Sequence, residues 1–153
     1  MSNIQSGGAV DITTNHQPAG GLYLDNDMVD AGTGNIKVLF DTVLADFIDG
    51  IEDIPNSKII VTETGWYSII AQVRLQDVPD SELFVIQIVK AGITWIAERR
   101  FHSGKADILT PGIDFIAKLT AGDSIDLRVT IATATVDIAQ GSNDTFLIVQ
   151  RIR

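Results

Sequence analysis

The feature that most constrains this chain is a repeat of two. In residues 124–131, Ile125, Leu127, Val129 and Ile131 alternate without a break with Ser124, Asp126, Arg128 and Thr130. Successive side chains of a strand point to opposite faces, so such a run makes a strand with one apolar and one polar face. Further runs cover residues 36–40, 58–61, 66–75, 83–90, 94–101, 113–119, 136–139 and 145–152. Turn signals separate them: Val78-Pro79-Asp80, Ala91-Gly92, Pro111-Gly112 and Gly141-Ser142-Asn143-Asp144. Residues 41–50 place Val43, Leu44, Phe47 and Ile48 at helical spacing, but the segment is short and reads as a strand end plus loop. Many short strands at this spacing predict an all-β fold, a two-sheet antiparallel sandwich of the jelly-roll kind.

Several of these strands are apolar on both faces. In 145–152, Phe146, Ile148 and Ile152 share one face, while Leu147 and Val149 share the other. In 66–75, Trp66 and Ile70 lie opposite Tyr67, Ile69, Ala71, Val73 and Leu75. A lone sandwich wets its outer faces, so a two-sided strand needs a second cover. No helix of adequate length is predicted, and a subunit interface is the expected cover. The expected core is Phe40, Tyr67, Ile69, Phe84, Ile125, Leu127 and Phe146.

The first thirty-five residues differ. They hold six of the thirteen glycines (Gly7, Gly8, Gly20, Gly21, Gly32 and Gly34), four aspartates and no Lys or Arg. Short apolar islands at 9–12 and 22–24 lie between turn signals. Residues 1–35 read as an extended glycine-rich arm or anchor with one or two short strands, and 36–153 as the jelly-roll domain.

Composition narrows the partners. A formal charge of −9 repels phosphate, which argues against nucleic acid and an anionic membrane surface. With no cysteine, disulfides, thiolate metal sites and cysteine nucleophiles are excluded. Residues 1–10 carry no basic residue and no apolar run, so no signal peptide is expected there, and no stretch reaches the ~20 apolar residues of a membrane span.

Four motifs occur in order: Phe40-Asp41-Thr42-Val43, Gly65-Trp66-Tyr67-Ser68-Ile69, Leu119-Thr120-Ala121-Gly122-Asp123-Ser124-Ile125 and Thr145-Phe146-Leu147-Ile148. This order and spacing resembles the globular head of complement C1q and its bacterial and viral relatives, in the tumour necrosis factor-like superfamily. The resemblance covers residues 36–153. It implies a ten-strand jelly roll and a homotrimer whose axis is lined by apolar strand faces. On that basis the expected trimer interface is Trp66, Ile70, Leu147 and Val149. No collagen-like repeat precedes the domain, and Lys90-Ala91-Gly92 stands where relatives carry Asn-Gly before the fifth strand. The animal complement function is therefore not implied.

Catalytic patterns are absent. His16 lies in the arm. His102, Ser103 and Asp107 are close in sequence, but a Ser-His neighbour pair in a loop lacks the geometry of a triad. No Gly-x-Ser-x-Gly, His-Glu-x-x-His or Walker pattern occurs, so no enzyme activity is expected. Asp25, Asn26, Asp27 and Asp30 form an oxygen-rich cluster, as do Asp46, Asp49, Glu52 and Asp53. Asp25, Asp27 and Asp30 are weak calcium candidates; the resemblance implies Ca2+ between subunits in some relatives, but neither cluster matches the EF-hand pattern. Solvated acidic loops with no cofactor are the expectation. Arg99 and Arg100, with Lys105, read as a match for acidic loops of a neighbouring subunit, and Arg151 and Arg153 as solubility charges. Trp66 and Trp95 could stack on sugars, but packing is expected of both.

These readings point to a non-enzymatic virion structural protein: a homotrimeric capsid-decoration, cement or spike protein. It would be made in a host cytoplasm and anchored to a capsid or fibre protein through residues 1–35. The alternative is a receptor-binding head of a phage fibre, or a secreted bacterial adhesive module, acting outside cells through loops at 74–80 or 101–109. Neither involves nucleic acid or membrane insertion.

Overall fold

A computed structural model describes residues 17–152 except 46, 48–50, 106 and 134. The strands are β1 (Ala19–Tyr23), β2 (Gly34–Lys37), β3 (Thr42–Val43), β4 (Glu52–Asp53), β5 (Lys58–Ile60), β6 (Gly65–Gln72), β7 (Leu75–Gln76), β8 (Leu83–Lys90), β9 (Thr94–His102), β10 (Gly112–Leu119), β11 (Ser124–Ile131), β12 (Asp137–Ile138) and β13 (Phe146–Arg151). A single 3-10 turn, Ile54–Asn56, links β4 to β5, and no α-helix occurs among the described residues. Every pairing is antiparallel.

The first sheet has the order β10-β6-β13-β1-β3 and the second β4-β5-β11-β8-β9, with β2 also paired to β11. The clean alternation of β11 puts Ile125, Leu127, Val129 and Ile131 in the core at full burial. From the facing sheet, β6 contributes Tyr67, Ile69 and Ala71. Phe40 and Phe84 complete the interior, and Phe84 stacks on Phe101 with ring centroids 5.6 Å apart. The Tyr67 hydroxyl reaches the Glu63 carbonyl at 2.7 Å, which satisfies its one polar group at the core's edge. The run 66–75 does not stay one strand. The Arg74 N–H leaves the ladder for Thr145 Oγ1, at 3.1 Å, and the chain resumes as β7 beside β12.

Two expectations are corrected here. The first is the boundary at residue 35. β1 is hydrogen-bonded to β13 on one side and β3 on the other, and Gly34 and Asn35 pair with β11. Residues 19–35 therefore belong to the sandwich, and residues 1–16 of the expected arm lie outside the described residues. Gly20 and Gly21 read as turn residues but lie within a strand. A Cβ on Gly20 would come within 2.7 Å of Ile51 Cγ1, so glycine is there for space between the sheets.

The second is the parity of β13. Leu147 lies opposite Ala71 and Val149 opposite Ile69, both on the core face, and both are fully buried in one chain. They are core residues, not an intersubunit surface. Phe146 lies opposite Gln72 on the outer face and is only half-buried. A strand that is apolar on both faces carries no internal signal for which face turns inward; the register against β6 decides it.

Candidate functional site

The outer face of the first sheet is built by the residues that the core does not use. Directly opposed residues on neighbouring strands share a face, so the pairing register gives its rows. One row runs Asp114, Ile70, Ile148, Gly21. The next, on one side, runs Ile116, Ser68, Gln150. On the other side lie Gly112, Gln72, Phe146 and Tyr23. Trp66 stands opposite Lys118, and the Ile152 N–H bonds to the Trp66 carbonyl at 2.8 Å. Ile116 is 60% exposed, Trp66 45%, Ile152 42% and Ile70 41%. The result is an apolar sheet face interrupted by a few polar side chains. At its rim, a groove of about 470 Å3 is lined by Ile70, Gln72, Glu98, Arg99, Asp114 and Phe146, among others.

That rim is where the two sheets end side by side. β10 is the terminal strand of the first sheet and β9 of the second. The Arg99 guanidinium donates to the Gly112 carbonyl at 2.8 Å and bridges them. Arg100 is exposed and pairs with Glu98 at 3.1 Å, and Lys118 is exposed on β10. The opposite flank, at β3 and β4, is acidic. Burial works to raise the Asp41 pKa, but hydrogen bonds from the Asn26 side chain, the Asp25 N–H and the Thr42 hydroxyl outweigh it and hold the carboxyl below its ordinary value. Glu52 accepts the Gly21 N–H at 3.0 Å, and Asp53 lies 3.7 Å from Lys58.

A second apolar surface sits on the β8–β9 turn. Ile93 is 85% exposed and Trp95 58%. The turn is held from below. Ala91 and Gly92 both take positive φ, and Arg128 Nη2 donates to the Gly92 carbonyl at 3.0 Å. Arg128 is itself fixed by the buried Asp126 at 2.9 Å.

Of the other residues singled out by sequence, Trp66 and Ile70 lie on the exposed apolar face, and neither Trp66 nor Trp95 is in the core. Asp27 accepts the Gln140 N–H at 2.6 Å, the Asp30 N–H bonds to Asp137 at 2.8 Å and the Asp25 N–H to Asp41 at 2.7 Å. Among the described residues no three His, Asp or Glu side chains are gathered as a metal site. Asp46 and Asp49 lie outside the described residues, as do His16 and Arg153. The Ser103 hydroxyl donates to the Pro79 carbonyl at 2.6 Å and accepts the Glu82 N–H at 2.8 Å, so both its roles are structural. His102 and Lys105 are exposed, and Asp107 is exposed in the following loop. Sequence reasoning missed Ile116, Phe146 and Ile148 as face residues. The signal for Ile116 was present in Phe115-Ile116, where two large apolar neighbours cannot both face inward.

The architecture is that of a two-sheet antiparallel jelly-roll sandwich. The chain is similar to solved structures of murine APRIL at pH 8.5 (TM-score 0.65, 17% identity), pH 5.0 (0.66, 17%) and pH 8.0 (0.65, 18%). Each comparison covers 90% of this chain and 100% of the other. No family model matches the sequence, and no curated protein does. The likeness is one of fold.

Proposed function

We propose that this chain acts by self-association and not by catalysis, as a homotrimer in which the β9–β10 flank of each copy packs on the outer face of the next copy's first sheet. The observation that carries this reading is the apolar face bearing Trp66, Ile70, Ile116 and Ile152. A sheet face of that composition is covered in a stable protein. Flank and face are different surfaces, so the contact is heterologous, and a heterologous contact that closes makes a ring. Charge supports the pairing: the flank presents Arg99 and Arg100, and Asp41, Glu52 and Asp53 border the far side of the face. A ring of three is what the tumour necrosis factor-like resemblance implies.

Within this reading the protein is a virion structural component, a capsid-decoration, cement or spike trimer of the bacterial and viral branch. Attachment to a capsid or fibre protein falls to residues 1–16, supported by their composition: Gly7-Gly8, short apolar stretches and no Lys or Arg. No cofactor, nucleic acid or membrane insertion is involved. A second reading, an extracellular receptor-binding head or adhesive module, is favoured by the exposure of Ile93 and Trp95 on a braced turn.

Ile70→Asp tests the trimer. A charge on the covered face should give folded single copies by light scattering with an unchanged circular dichroism spectrum. A trimer that persists would remove this face from the interface. The two biological roles separate by deletion. Loss of particle binding on removing residues 1–16 supports decoration; loss of cell binding in Ile93→Asp supports the receptor-binding head.

A further inference from the structure

Gly21 is at the centre of β1, where glycine weakens a strand by about 0.5–1 kcal/mol relative to alanine. Its φ is not in the left-handed region, so the backbone does not require it. Space does. A Cβ there would lie 2.5 Å from Phe47 Cδ2 and 2.9 Å from Leu44 Cδ1. Gly21 is on the outer face, in the row of Ile148 and Ile70. Leu44 and Phe47 thus lie across the end of the first sheet and place two apolar side chains on its outside.

The crossing is fixed by the backbone. The Asp41 N–H bonds to the Tyr23 carbonyl at 3.4 Å, the Leu44 N–H to the Gly21 carbonyl at 2.9 Å, and the Phe47 N–H to the Leu44 carbonyl at 3.1 Å. Glu52 takes the Gly21 N–H that β3 does not reach. A face meant only for water has no use for this. The chain covers the β1 end itself and leaves the β6–β10 end bare. Neighbouring strands are ~4.8 Å apart, so the ring over Gly21 stands about 10 Å from Ile70 and continues the same apolar surface.

We infer that Phe47, seated over Gly21, is part of the surface that receives a second copy of this chain and forms the ridge against which the incoming β9–β10 flank stops. This rests on the self-association reading and adds the boundary of the contact. The occupant is a second copy because the flank that would reach the ridge carries Arg99 and Arg100, while the Glu52 carboxylate, held on the Gly21 N–H, sits beside the ridge. Phe47 is only half-buried within its own chain, which leaves ring surface for the contact.

Phe47→Asp and Phe47→Ala, compared with Ile70→Asp, test this by light scattering across a dilution series, with thermal melts as the check on folding. Phe47→Asp should give folded single copies, and Phe47→Ala should weaken association at least tenfold. If Ile70→Asp separates the copies and folded Phe47 variants stay as tightly associated as the parent, the ridge is outside the contact and the inference fails while the reading stands. If the parent chain is itself monomeric, the reading fails. Because the chain has no cysteine, Phe47→Cys supplies a single thiol for a second measurement that does not depend on Phe47→Asp folding. Its maleimide labelling should be at least tenfold slower in the parent background than in the Ile70→Asp background. Equal rates would overturn the inference.

Discussion

The guanidinium of Arg99 and the carbonyl oxygen of Gly112, 2.8 Å apart, join the last strand of one sheet to the last strand of the other. The Arg99 side chain therefore bridges the two sheets along the β9–β10 side of the sandwich. Arg99→Ala is expected to lower stability by about 1 kcal/mol, the size of one net hydrogen bond at a solvated site. Urea unfolding of the two proteins, both carrying Ile70→Asp so that assembly does not contribute, measures it. A loss above roughly 3 kcal/mol, or none, would mean that the bridge is not what sets the spacing of β9 and β10.

Core and face residues of β13 should respond differently. In the Ile70→Asp form, where assembly no longer contributes, Leu147→Ala is expected to lower the unfolding free energy by about 2–5 kcal/mol, because it leaves a cavity between the sheets. Ile148→Ala, one residue on and facing outward, should change it by less than about 1 kcal/mol. Reversed magnitudes in denaturant titrations would reverse the assigned parity.

Acid sensitivity should run through Glu82. Its carboxylate accepts the Thr133 hydroxyl at 2.7 Å and the Thr133 N–H at 2.8 Å, and these bonds hold its pKa below the ordinary 4.5 despite burial. A depressed folded-state pKa gives stability that is present above the unfolded pKa and lost as pH falls through the folded one. The melting temperature should thus fall with pH below about 4.5 more steeply in the parent than in Glu82→Gln. Parallel curves from pH 7 to pH 3 would show that the Glu82–Thr133 pair contributes nothing to acid unfolding.

Divalent cations should not matter to folding. Asp27, Asp41 and Asp137 use carboxylate oxygens on backbone N–H groups, which fixes the loops without a metal. Millimolar Ca2+ and excess chelator should give the same melting temperature. A rise of several degrees with Ca2+ would reveal a site.

How far the sequence could be read depended on how one-sided each strand is. β11 runs as its alternation predicts, and Tyr67 and Ile69 turn inward because Ser68 breaks the apolar pattern beside them. β13 has no such break, so its faces could be told apart only through its partner β6. β1 was hidden by Gly20 and Gly21, which look like a turn until the close approach of Ile51 and Phe47 is known. The candidate face was legible in Trp66 and Ile70. Its remainder came from cross-strand rows, which link residues far apart in the chain, such as Gly21 and Ile148, 127 positions apart. Periodicity within one segment carries no trace of such links.

The most direct test of self-association is the mass of the unmodified chain in solution, measured by light scattering during size exclusion at several concentrations. Three copies of a 16.5 kDa chain give about 50 kDa, and that value, steady on dilution to the micromolar range, is the expected result. A mass near 16.5 kDa at every concentration would contradict the account. The apolar face and the ridge at Phe47 would then have to be covered by a different protein.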